Sequence, residues 1–239
     1  MTLRGENLTV AYYGDIYVLR EVEIEARSGI ITCVIGPNGA GKSTFINVLS
    51  GIYALDDGEI QLDNTPIHRL PPPQRARMGV GRTFQTPRIF HRLTVIENVL
   101  VPVAHLDTIT VDVRKRATDL LELVNLADKA NGYARELSGG QQKLLELARA
   151  LMAEPRIVLM DEPFAGVHPE LRETLIEAIK TVNRDLGTTF LIVSHEMPVV
   201  AALCQWVYAM HLGRNFLAGP AQEVLHDARL VDIYLGEES

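Results

Sequence analysis

Residues 36–44 read GPNGAGKST and directly follow a short apolar run at residues 30–35. The string fits the pattern G-x-x-x-x-G-K-[ST], in which a buried strand, a glycine-rich loop and a helix follow one another. Glycines allow a tight turn that aims successive backbone amides at an anion, and the start of the following helix adds partial positive charge. The sequence therefore predicts a loop that binds phosphate. The alternative, a tight glycine-rich turn without a ligand, is disfavoured because the fixed residues and the flanking strand agree.

Two side chains of this loop suit a nucleoside triphosphate. Lys42 is placed to reach the β- and γ-phosphates, and the hydroxyl of Ser43 is placed to bind the Mg²⁺ that bridges them. A nucleoside triphosphate with Mg²⁺ is therefore the expected ligand of this loop. The candidate nucleotide-binding residues of the loop are Gly36, Pro37, Asn38, Gly39, Ala40, Gly41, Lys42, Ser43 and Thr44.

The composition argues against several classes of protein. The 239 residues carry a formal net charge of −7, whereas nucleic-acid-binding surfaces are basic, so nucleic acid is not an expected partner. Apolar runs are all shorter than the roughly 20 residues that span a bilayer, and residues 1–10 lack the apolar segment of a secretory signal. Cys33, in an apolar run, and Cys204, on the apolar face of a predicted helix, are expected to be core thiols. The histidine spacing does not predict a zinc site.

The periodicity of apolar residues predicts an α/β fold. Apolar and polar residues alternate in three segments, which predicts half-buried antiparallel strands at residues 8–13, 18–27 and 58–63. Continuous apolar runs predict parallel strands covered on both faces at residues 30–35, 157–160 and 189–193. A helix is predicted at residues 170–186, because its apolar residues share one face and Gly187 follows. A nucleotide is expected at the carboxyl ends of the parallel strands.

Between residues 87 and 154 the pattern predicts helices only, most clearly at residues 113–125 and 139–153. This segment is expected to form an inserted helical lobe. Within it residues 137–141 read LSGGQ, so Ser138 can cap the helix that follows and the two glycines leave its first amides accessible to an anion. A capped helix start alone is common. Here it lies in a chain with a phosphate loop and shortly before an apolar strand that ends in Asp-Glu.

The phosphate loop, the LSGGQ string and the strand IVLMD at residues 157–161 followed by Glu162 together resemble the ATP-binding cassette (ABC) ATPases. The similarity extends over almost the full chain. It implies a P-loop NTPase core of the RecA-like α/β type, with an antiparallel β subdomain and an inserted α-helical subdomain. We expect a single nucleotide-binding domain over residues 1–239. Its core and β subdomain are expected at residues 1–86 and 155–239, and its helical subdomain at residues 87–154.

The resemblance also implies roles for individual residues. Glu162 would orient or deprotonate the attacking water, and the expected catalytic residues are Lys42, Gln85, Glu162 and His195. The implied cofactors are ATP and Mg²⁺, and the expected Mg²⁺ ligands are Ser43, Gln85 and Asp161. The signature residues, expected to contact nucleotide across a dimer, are Ser138, Gly139, Gly140 and Gln141. A carboxylate pair at a strand end, a loop glutamine or a histidine after a strand is by itself often structural, but their order and context favour catalysis.

Two further positions need comment. The family stacks an aromatic residue on adenine, and we assign Tyr13 because it directly precedes Gly14. The alternatives are the neighbouring Tyr12 or a tyrosine that only packs in the core.

Many family members also have Leu-Asp in the loop after the Asp-Glu pair, where this chain has Val167 and His168. That departure puts the communication between two ATP sites in doubt, not ATP hydrolysis.

The chain is similar to the ATPase subunits of importers for branched-chain amino acids and related amides. The similarity rests on residues 79–88, GVGRTFQTPR, residues 93–99, LTVIENV, and the terminal YLG at residues 234–236. Residues 161–167, DEPFAGV, and 234–237 also resemble the ATPase of the lipopolysaccharide exporter, which stays an alternative. We favour the importer because the segment around Gln85 normally faces the membrane subunit.

The resemblance implies several partners. These are transmembrane permease subunits, a second ATPase subunit that forms a homodimer or heterodimer, and a periplasmic or extracellular substrate-binding protein. The expected location is peripheral, at the cytoplasmic face of the cell membrane. Residues 69–92 contain six arginines and no acidic residue, which indicates either a solvated basic face or a side that docks on a membrane subunit near anionic headgroups. The six arginines are Arg69, Arg75, Arg77, Arg82, Arg88 and Arg92.

Two other functions are compatible with the motifs. A non-transport ATPase of the same superfamily usually has paired cassettes, long insertions or basic extensions, which this sequence lacks. A nucleotide-binding scaffold without turnover is disfavoured by the intact set of expected catalytic residues.

Overall fold

A computed structural model describes residues 1–12, 16–106 and 108–235. Its strands are β1 Leu3–Tyr12, β2 Ile16–Ala26, β3 Ile31–Ile35, β4 Asp57–Leu62, β5 Thr65–Pro66, β6 Val80–Arg82, β7 Ile157–Asp161, β8 Thr189–Val193, β9 Trp206–His211 and β10 Arg214–Pro220. Its α-helices are α1 Lys42–Leu49, α2 Pro72–Arg77, α3 Val95–Leu100, α4 Val111–Leu123, α5 Gly139–Met152, α6 Pro169–Leu186, α7 Met197–Leu203, α8 Ala221–Leu225 and α9 Ala228–Leu235. Short 3₁₀ turns lie at Val101–Val103, Ala127–Lys129 and Ala134–Glu136.

The central sheet has six strands in the order β10-β9-β3-β8-β7-β6. Strands β3, β8, β7, β6 and β9 run parallel, and β10 pairs antiparallel with β9. Every residue of β3, β7 and β8 is buried, as their continuous apolar runs predict. The parallel strands therefore bring their carboxyl ends to one edge of the sheet.

The second sheet has four strands in the order β2-β1-β4-β5 and is antiparallel throughout. The alternation in β1, β2 and β4 arises because successive side chains point to opposite faces, and the inner face packs on the core. The predicted antiparallel strands are confirmed, although β1 begins earlier than the alternation indicates.

Two hydrophobic clusters cover the two faces of the central sheet. Side chains such as Val34 and Leu159 pack with α1 and the antiparallel sheet. Their neighbours Cys33 and Val158 point the other way and pack with α4, α5, α6 and α7. The alternation of side chains along each strand thus joins both layers into one structure.

The region from residue 87 to 154 consists mainly of helices, with one isolated bridge between Thr94 and Tyr133 in the part of the chain that the structure describes. The prediction of helices only is therefore wrong in this detail. The bridge forms because the amide of Ala134 donates to the carbonyl of Leu93 and clamps the chain leading into α3. The proposed subdomain boundaries stay a prediction.

Helix α6 ends as its sequence predicts, because Gly187 adopts a left-handed conformation with φ 65°. Cys204 differs from its prediction. It is buried but follows α7 in an extended conformation, because the chain turns there into β9. Cys33 lies buried in β3, and burial raises the pKa of its thiol.

The six arginines of residues 69–92 do not share one solvated face. Arg75 is buried and donates to the carbonyls of Val48 and Leu49 at 2.8 and 2.7 Å, at the end of α1. Arg82 is half-buried and donates to the Oδ1 of Asn47 at 2.6 Å. Both were expected at a basic surface, and both instead satisfy polar groups inside the protein. No helix in the described residues is long and apolar enough to cross a membrane.

Candidate active site

The loop at residues 36–41 connects the carboxyl end of β3 to α1. Gly41 occupies the N-cap of α1 in a left-handed conformation with φ 95°, and no side chain caps this helix. A Cβ at Gly41 would lie 2.8 Å from the carbonyl oxygen of Val18, and one at Gly36 would collide with the carbonyl of Met210. Two of the pattern's glycines are thus required by close backbone approach. The first amides of α1 remain directed at the loop's concave side, as an anion site requires.

The side chains of this loop differ in exposure. Lys42 is buried, and its Nζ donates to the carbonyls of Gly36 and Pro37 at 2.6 and 2.9 Å. These bonds hold the ammonium against the loop that it would share with phosphate. Ser43 is exposed in the first turn of α1.

Of the neighbouring tyrosines Tyr12 and Tyr13, the structure describes Tyr12. The hydroxyls of Tyr12 and Thr44 lie 3.3 Å apart, and the Tyr12 ring meets Tyr53 edge to face with centroids 6.3 Å apart. Tyr12 therefore has protein partners on its hydroxyl and its ring. The predicted adenine platform, Tyr13, lies outside the described residues, so that assignment stays a prediction.

Two carboxylates follow one another at the end of β7. Asp161 is buried, and its Oδ1 has no hydrogen-bond partner among the described residues. Burial raises the pKa of Asp161, and Glu162 adds to this, while the positive charges of Arg82 and Lys42 oppose it. A buried carboxylate oxygen without a partner fits a site for a cation. Within the described residues there is no cluster of three acidic, histidine or cysteine side chains, so the other ligands of such a cation would be hydroxyl, amide, phosphate or water oxygens.

Glu162 lies beside His195. The backbone of Glu162 is left-handed, with φ 47°, and its amide donates to the carbonyl of Val193 at 2.9 Å, which ties it to the end of β8. Its Oε2 lies 2.9 Å from His195 Nδ1, a distance that suits an ion pair without the angles of a hydrogen bond. The Glu162 carboxylate is 10% exposed and the His195 ring 56% exposed. A nearly buried carboxylate therefore faces a histidine that solvent can reach.

Gln85 approaches the same edge of the sheet. Strand β6 pairs in parallel with β7, and the amide of Thr83 donates to the carbonyl of Leu159 at 3.0 Å. Gln85 follows two residues later with an exposed side chain. The parallel topology thus brings the segment of Gln85 next to the carboxylates.

The signature residues lie on a different helix. Ser138 caps α5 by a capping box, in which its Oγ accepts from the Gln141 amide at 3.3 Å and the Gln141 Oε1 accepts from the Ser138 amide at 3.0 Å. Helix α5 packs mainly on α3, α4 and α6, whereas α1 packs on β7, β2 and β8. Gly139 has open space at its Cβ position. The signature is therefore a separate, accessible helix start.

Comparison with known proteins decides the family. Residues 19–165 match the family described as ABC transporter. The chain is 35% identical to the probable branched-chain amino acid transport ATP-binding protein LivG of Archaeoglobus fulgidus, covering 99% of this chain and 96% of that protein. The chain belongs to the ABC transporter family of ATPases. The solved ADP conformation of MJ1267, an ATP-binding cassette of an ABC transporter, has a TM-score of 0.88 at 34% identity and covers 99% of both chains. The expected family and P-loop fold are confirmed.

The relatives do not agree on a transported substance. The lipopolysaccharide export system ATP-binding protein LptB of Escherichia coli is 37% identical to this ABC ATPase, covering 99% of this chain and 98% of that protein. LivG and LptB are thus similarly close relatives. Family membership makes the chain a nucleotide-binding ATPase of a transporter, and the substrate is a separate matter.

Sequence reasoning missed several residues that support the site of this ABC ATPase. Lys143, on α5, donates from Nζ to the carbonyls of Glu162 and Ala165 at 3.1 and 2.7 Å. Glu146, one turn later, is buried and accepts from the amides of Phe84 and Arg88. Burial raises the pKa of Glu146 and lowers that of Lys143. The sequence signal that could have revealed Lys143 and Glu146 is their charge among the apolar residues of α5.

His168, which replaces the usual aspartate, is exposed and occupies the N-cap of α6 without a side-chain cap bond. The nearby Arg172 instead pairs with Glu196 at 3.1 Å, which connects α6 to the chain after His195. Residue 168 therefore contributes through its carbonyl, which accepts from the Arg172 amide at 2.9 Å, and not through a side-chain cap bond.

Proposed function

We propose that this ABC ATPase is the motor subunit of a solute importer, in which ATP binding and hydrolysis at the edge of the central sheet drive attached membrane subunits. The observation that carries the site is Glu162, which is nearly buried, lies 2.9 Å from His195 and follows β7, two strands from β3 and the phosphate loop. Glu162 accepts the proton of the attacking water, and His195 orients the water and the γ-phosphate.

The remaining roles follow from the same edge. The amides of the loop and the start of α1 bind the phosphates, and Lys42 exchanges its carbonyl partners for the β- and γ-phosphate oxygens. Ser43, Gln85 and Asp161 would hold Mg²⁺, which supplies charge neutralisation on the phosphates. The unpartnered buried Oδ1 of Asp161 supports this assignment. Tyr13 stacks on the adenine.

Two subunits close face to face, each ATP lying between Lys42 of one and the signature of the other. The separate packing of α1 and α5 supports this, since the two helix starts belong to different parts of one chain. The γ-phosphate joins the two halves, so its loss reopens them. A solved relative at 28% identity is described as a dimeric structure of MJ0796, a bacterial ABC transporter cassette. A homodimer or a heterodimer is compatible with this arrangement.

A groove beside the Gln85 segment supports a permease as partner. It lies between the end of α1, α2 and α5 and has a volume of about 270 Å³. Its apolar lining includes Ile52, Phe84 and Pro102, with Arg82 and Arg149 among them. This mixture of apolar and cationic side chains suits a cytoplasmic segment of a permease subunit at the membrane surface. The proposed location is therefore peripheral, at the cytoplasmic face of the cell membrane.

For the substrate we propose branched-chain amino acids or related amides, delivered by a separate substrate-binding protein. The LivG relatives and the importer-like segment around Gln85 support this proposal. The 37% identity to LptB supports a second candidate, the ATPase of a lipopolysaccharide or lipid exporter.

The experiment on the site replaces Glu162 by glutamine and compares it with Glu170→Gln, an exposed glutamate at the start of α6. We expect Glu162→Gln to bind ATP but to release phosphate at least about 100-fold more slowly than the wild type, because an amide keeps the shape of the carboxylate and cannot accept a proton. Glu170→Gln should keep the wild-type rate. Phosphate release and retained nucleotide are measured together, and a near wild-type rate for Glu162→Gln would exclude it as the base.

The composite site is tested by mixing two inactive variants. Lys42→Ala removes the phosphate-binding cation, and Ser138→Arg blocks the start of α5. In a mixed dimer one site combines both changes and the other has neither, so mixing should restore part of the ATPase activity. If crosslinking shows mixed dimers that stay inactive, the sites are obligatorily coupled or the composite arrangement is wrong.

The substrate is tested with the membrane proteins that purify with the tagged chain. These are reconstituted in vesicles, and ATP-dependent uptake of labelled leucine is measured against extraction of lipopolysaccharide. Uptake that requires a separate binding protein supports import. Extraction without uptake would replace the importer proposal by the exporter.

A further inference from the structure

A buried carboxylate interrupts the apolar face of α5. Glu146 is 2% exposed and lies between Leu145 and Leu147, both fully buried. An unpaired carboxylate in such surroundings costs free energy, and an apolar residue of similar size would pack there without that cost. A carboxylate at this position is therefore expected to have polar partners and a role in the fold or in the function.

The partners of Glu146 are two backbone amides that flank Gln85. Its Oε2 accepts from the Phe84 amide at 3.1 Å, and its Oε1 accepts from the Arg88 amide at 2.9 Å. The Arg149 guanidinium, one turn further on α5, lies 3.6 Å from Oε1. One side chain thus fixes both ends of the three residues 85–87, while Gln85 itself stays exposed.

The bonds of Glu146 to the Phe84 and Arg88 amides are called the clamp below. A second buried side chain holds the next residues of the same segment. Asn98, in α3, accepts from the Phe90 amide at 2.8 Å and donates to the Phe90 carbonyl at 3.0 Å. The backbone from residue 84 to 90 is therefore tied to helices α5 and α3 by polar side chains rather than by strand pairing. The position of this backbone segment therefore depends on the positions of α5 and α3.

Helix α5 also holds the other catalytic loop. Lys143 lies three residues before Glu146 and binds the carbonyls of Glu162 and Ala165. The helix that begins with the signature therefore contacts the backbone around both Gln85 and Glu162 of its own chain.

We propose that Glu146 is a positioning residue, which holds the backbone on both sides of Gln85 and thereby fixes the place of Gln85 in the chain's own nucleotide site. The inference rests on the proposed function for the role of Gln85. Glu146 itself touches no reacting atom.

The first test measures backbone hydrogen exchange in Glu146→Gln, which keeps the side-chain shape but turns an NH₂ group towards one of the two amides. We expect exchange of the Phe84 and Arg88 amides to accelerate about tenfold or more, with the phosphate loop unchanged. The control is Leu151→Ala, which removes a buried side chain near the end of α5. Unchanged exchange at residues 84–88 in Glu146→Gln would overturn the clamp, whether or not the chain hydrolyses ATP.

The second test asks whether Glu146 acts through Gln85. Below the unfolding temperature of both variants, Glu146→Gln should lower kcat about tenfold while the KM for ATP stays near the wild-type value, and Leu151→Ala should keep kcat. In a Gln85→Ala background the same Glu146 substitution should cause no further loss of kcat. If the two losses multiply instead, Glu146 does not act through Gln85 and the proposal is wrong.

Both the proposal and its separation from the proposed function survive a failure of the first variant or of the activity assay. If Glu146→Gln does not fold, Glu146→Asp replaces it in both tests, since it keeps two acceptor oxygens on a side chain one methylene shorter. An inactive wild-type enzyme would contradict the proposed function, while the exchange measurement would still decide the clamp.

Discussion

Two helices of this ABC ATPase begin at glycine-containing motifs, and their first turns are built differently. Helix α1 starts at Gly41 with no side-chain cap, so its first amides are directed at the loop that precedes it. Helix α5 starts at Ser138 with a full capping box, which satisfies the Gln141 amide internally. A helix start without a cap is stable only if a ligand or the rest of the fold supports it. The start of α1 therefore suits the phosphate that we propose there, whereas the start of α5 has its own cap and leaves Gly139 accessible.

The opposite end of α1 shows where its stability comes from. Arg75 is buried and satisfies the carbonyls of Val48 and Leu49, and it also donates to the carbonyls of His68 and Leu70 at 2.9 Å each. Burial lowers the pKa of Arg75 to about 10, so it stays charged at neutral pH. The positive charge at the C-terminus also complements the helix dipole. Helix α1 is thus anchored at its C-terminal end by one buried side chain.

The largest expected effect comes from removing this anchor. Arg75→Met should lower the free energy of unfolding by about 3 kcal/mol, because buried carbonyls lose their donors. Arg75→Lys, the control, keeps the charge but not the planar set of donors, so it should lose less. Chemical denaturation measures both. If Arg75→Met is as stable as the wild type, α1 does not depend on its C-terminal anchor and the comparison of the two helices fails.

The second prediction concerns nucleotide binding by the single subunit. Lys42→Ala should weaken ATP binding about 10- to 100-fold, the value of hydrogen bonds to a charged group. Ser138→Arg should leave the affinity of the monomer unchanged, because α5 would contact only the partner's nucleotide. Titration at protein concentrations below dimer formation measures both. An equal loss in the two variants would place the signature in the chain's own site.

The two helix starts also show how far the sequence could be interpreted. The phosphate loop, the strands β3, β7 and β8 and the cap of α5 are determined by residues within a few positions of each other, and all were predicted. Glu146 was missed because its partners Phe84 and Arg88 are 62 and 58 residues away along the chain. Nothing in the local pattern connects a charge in α5 to those amides.

Other misses have equally specific reasons. Strand β6 has three residues, Val80–Arg82, too few for any periodicity, and it exists because β7 offers it a parallel edge. The arginines at residues 69–92 looked like one basic surface, but Arg75 is buried and the half-buried Arg82 donates to Asn47 of α1. A charge pattern cannot distinguish a solvated arginine from one that satisfies buried carbonyls.

The third prediction uses the two glycines at the start of α5. A Cβ at Gly140 would lie 2.8 Å from a side-chain carbon of Leu171 in α6, while Gly139 faces open space. Gly140→Ala should therefore be about 1 kcal/mol less stable than Gly139→Ala, because the Leu171 side chain must shift to admit the methyl group. Gly139→Ala should keep or slightly raise stability and instead lower the ATPase rate of the dimer, where a methyl group would stand towards the partner's nucleotide.

The two variants sharpen the comparison of the helix starts, because Gly140 is needed for packing against Leu171 and Gly139 for the approach of the partner's nucleotide. Thermal unfolding and the ATPase rate are measured for both variants. If Gly139→Ala hydrolyses ATP at the wild-type rate, the start of α5 does not approach a phosphate group closely.

The smallest expected effect is the loss of the cap itself. Ser138→Ala removes the hydroxyl that accepts from the Gln141 amide, and such a change costs about 1 kcal/mol. We expect a correspondingly lower unfolding temperature and no change in the nucleotide affinity of the monomer. Ser138→Asp is the matched variant, since aspartate caps a helix as well as serine does but places a negative charge at the start of α5. It should keep the stability of the wild type and lose ATPase activity in the dimer, because that charge would repel the partner's phosphates. If Ser138→Asp is fully active, α5 does not meet an anion, and its capping box serves the fold alone.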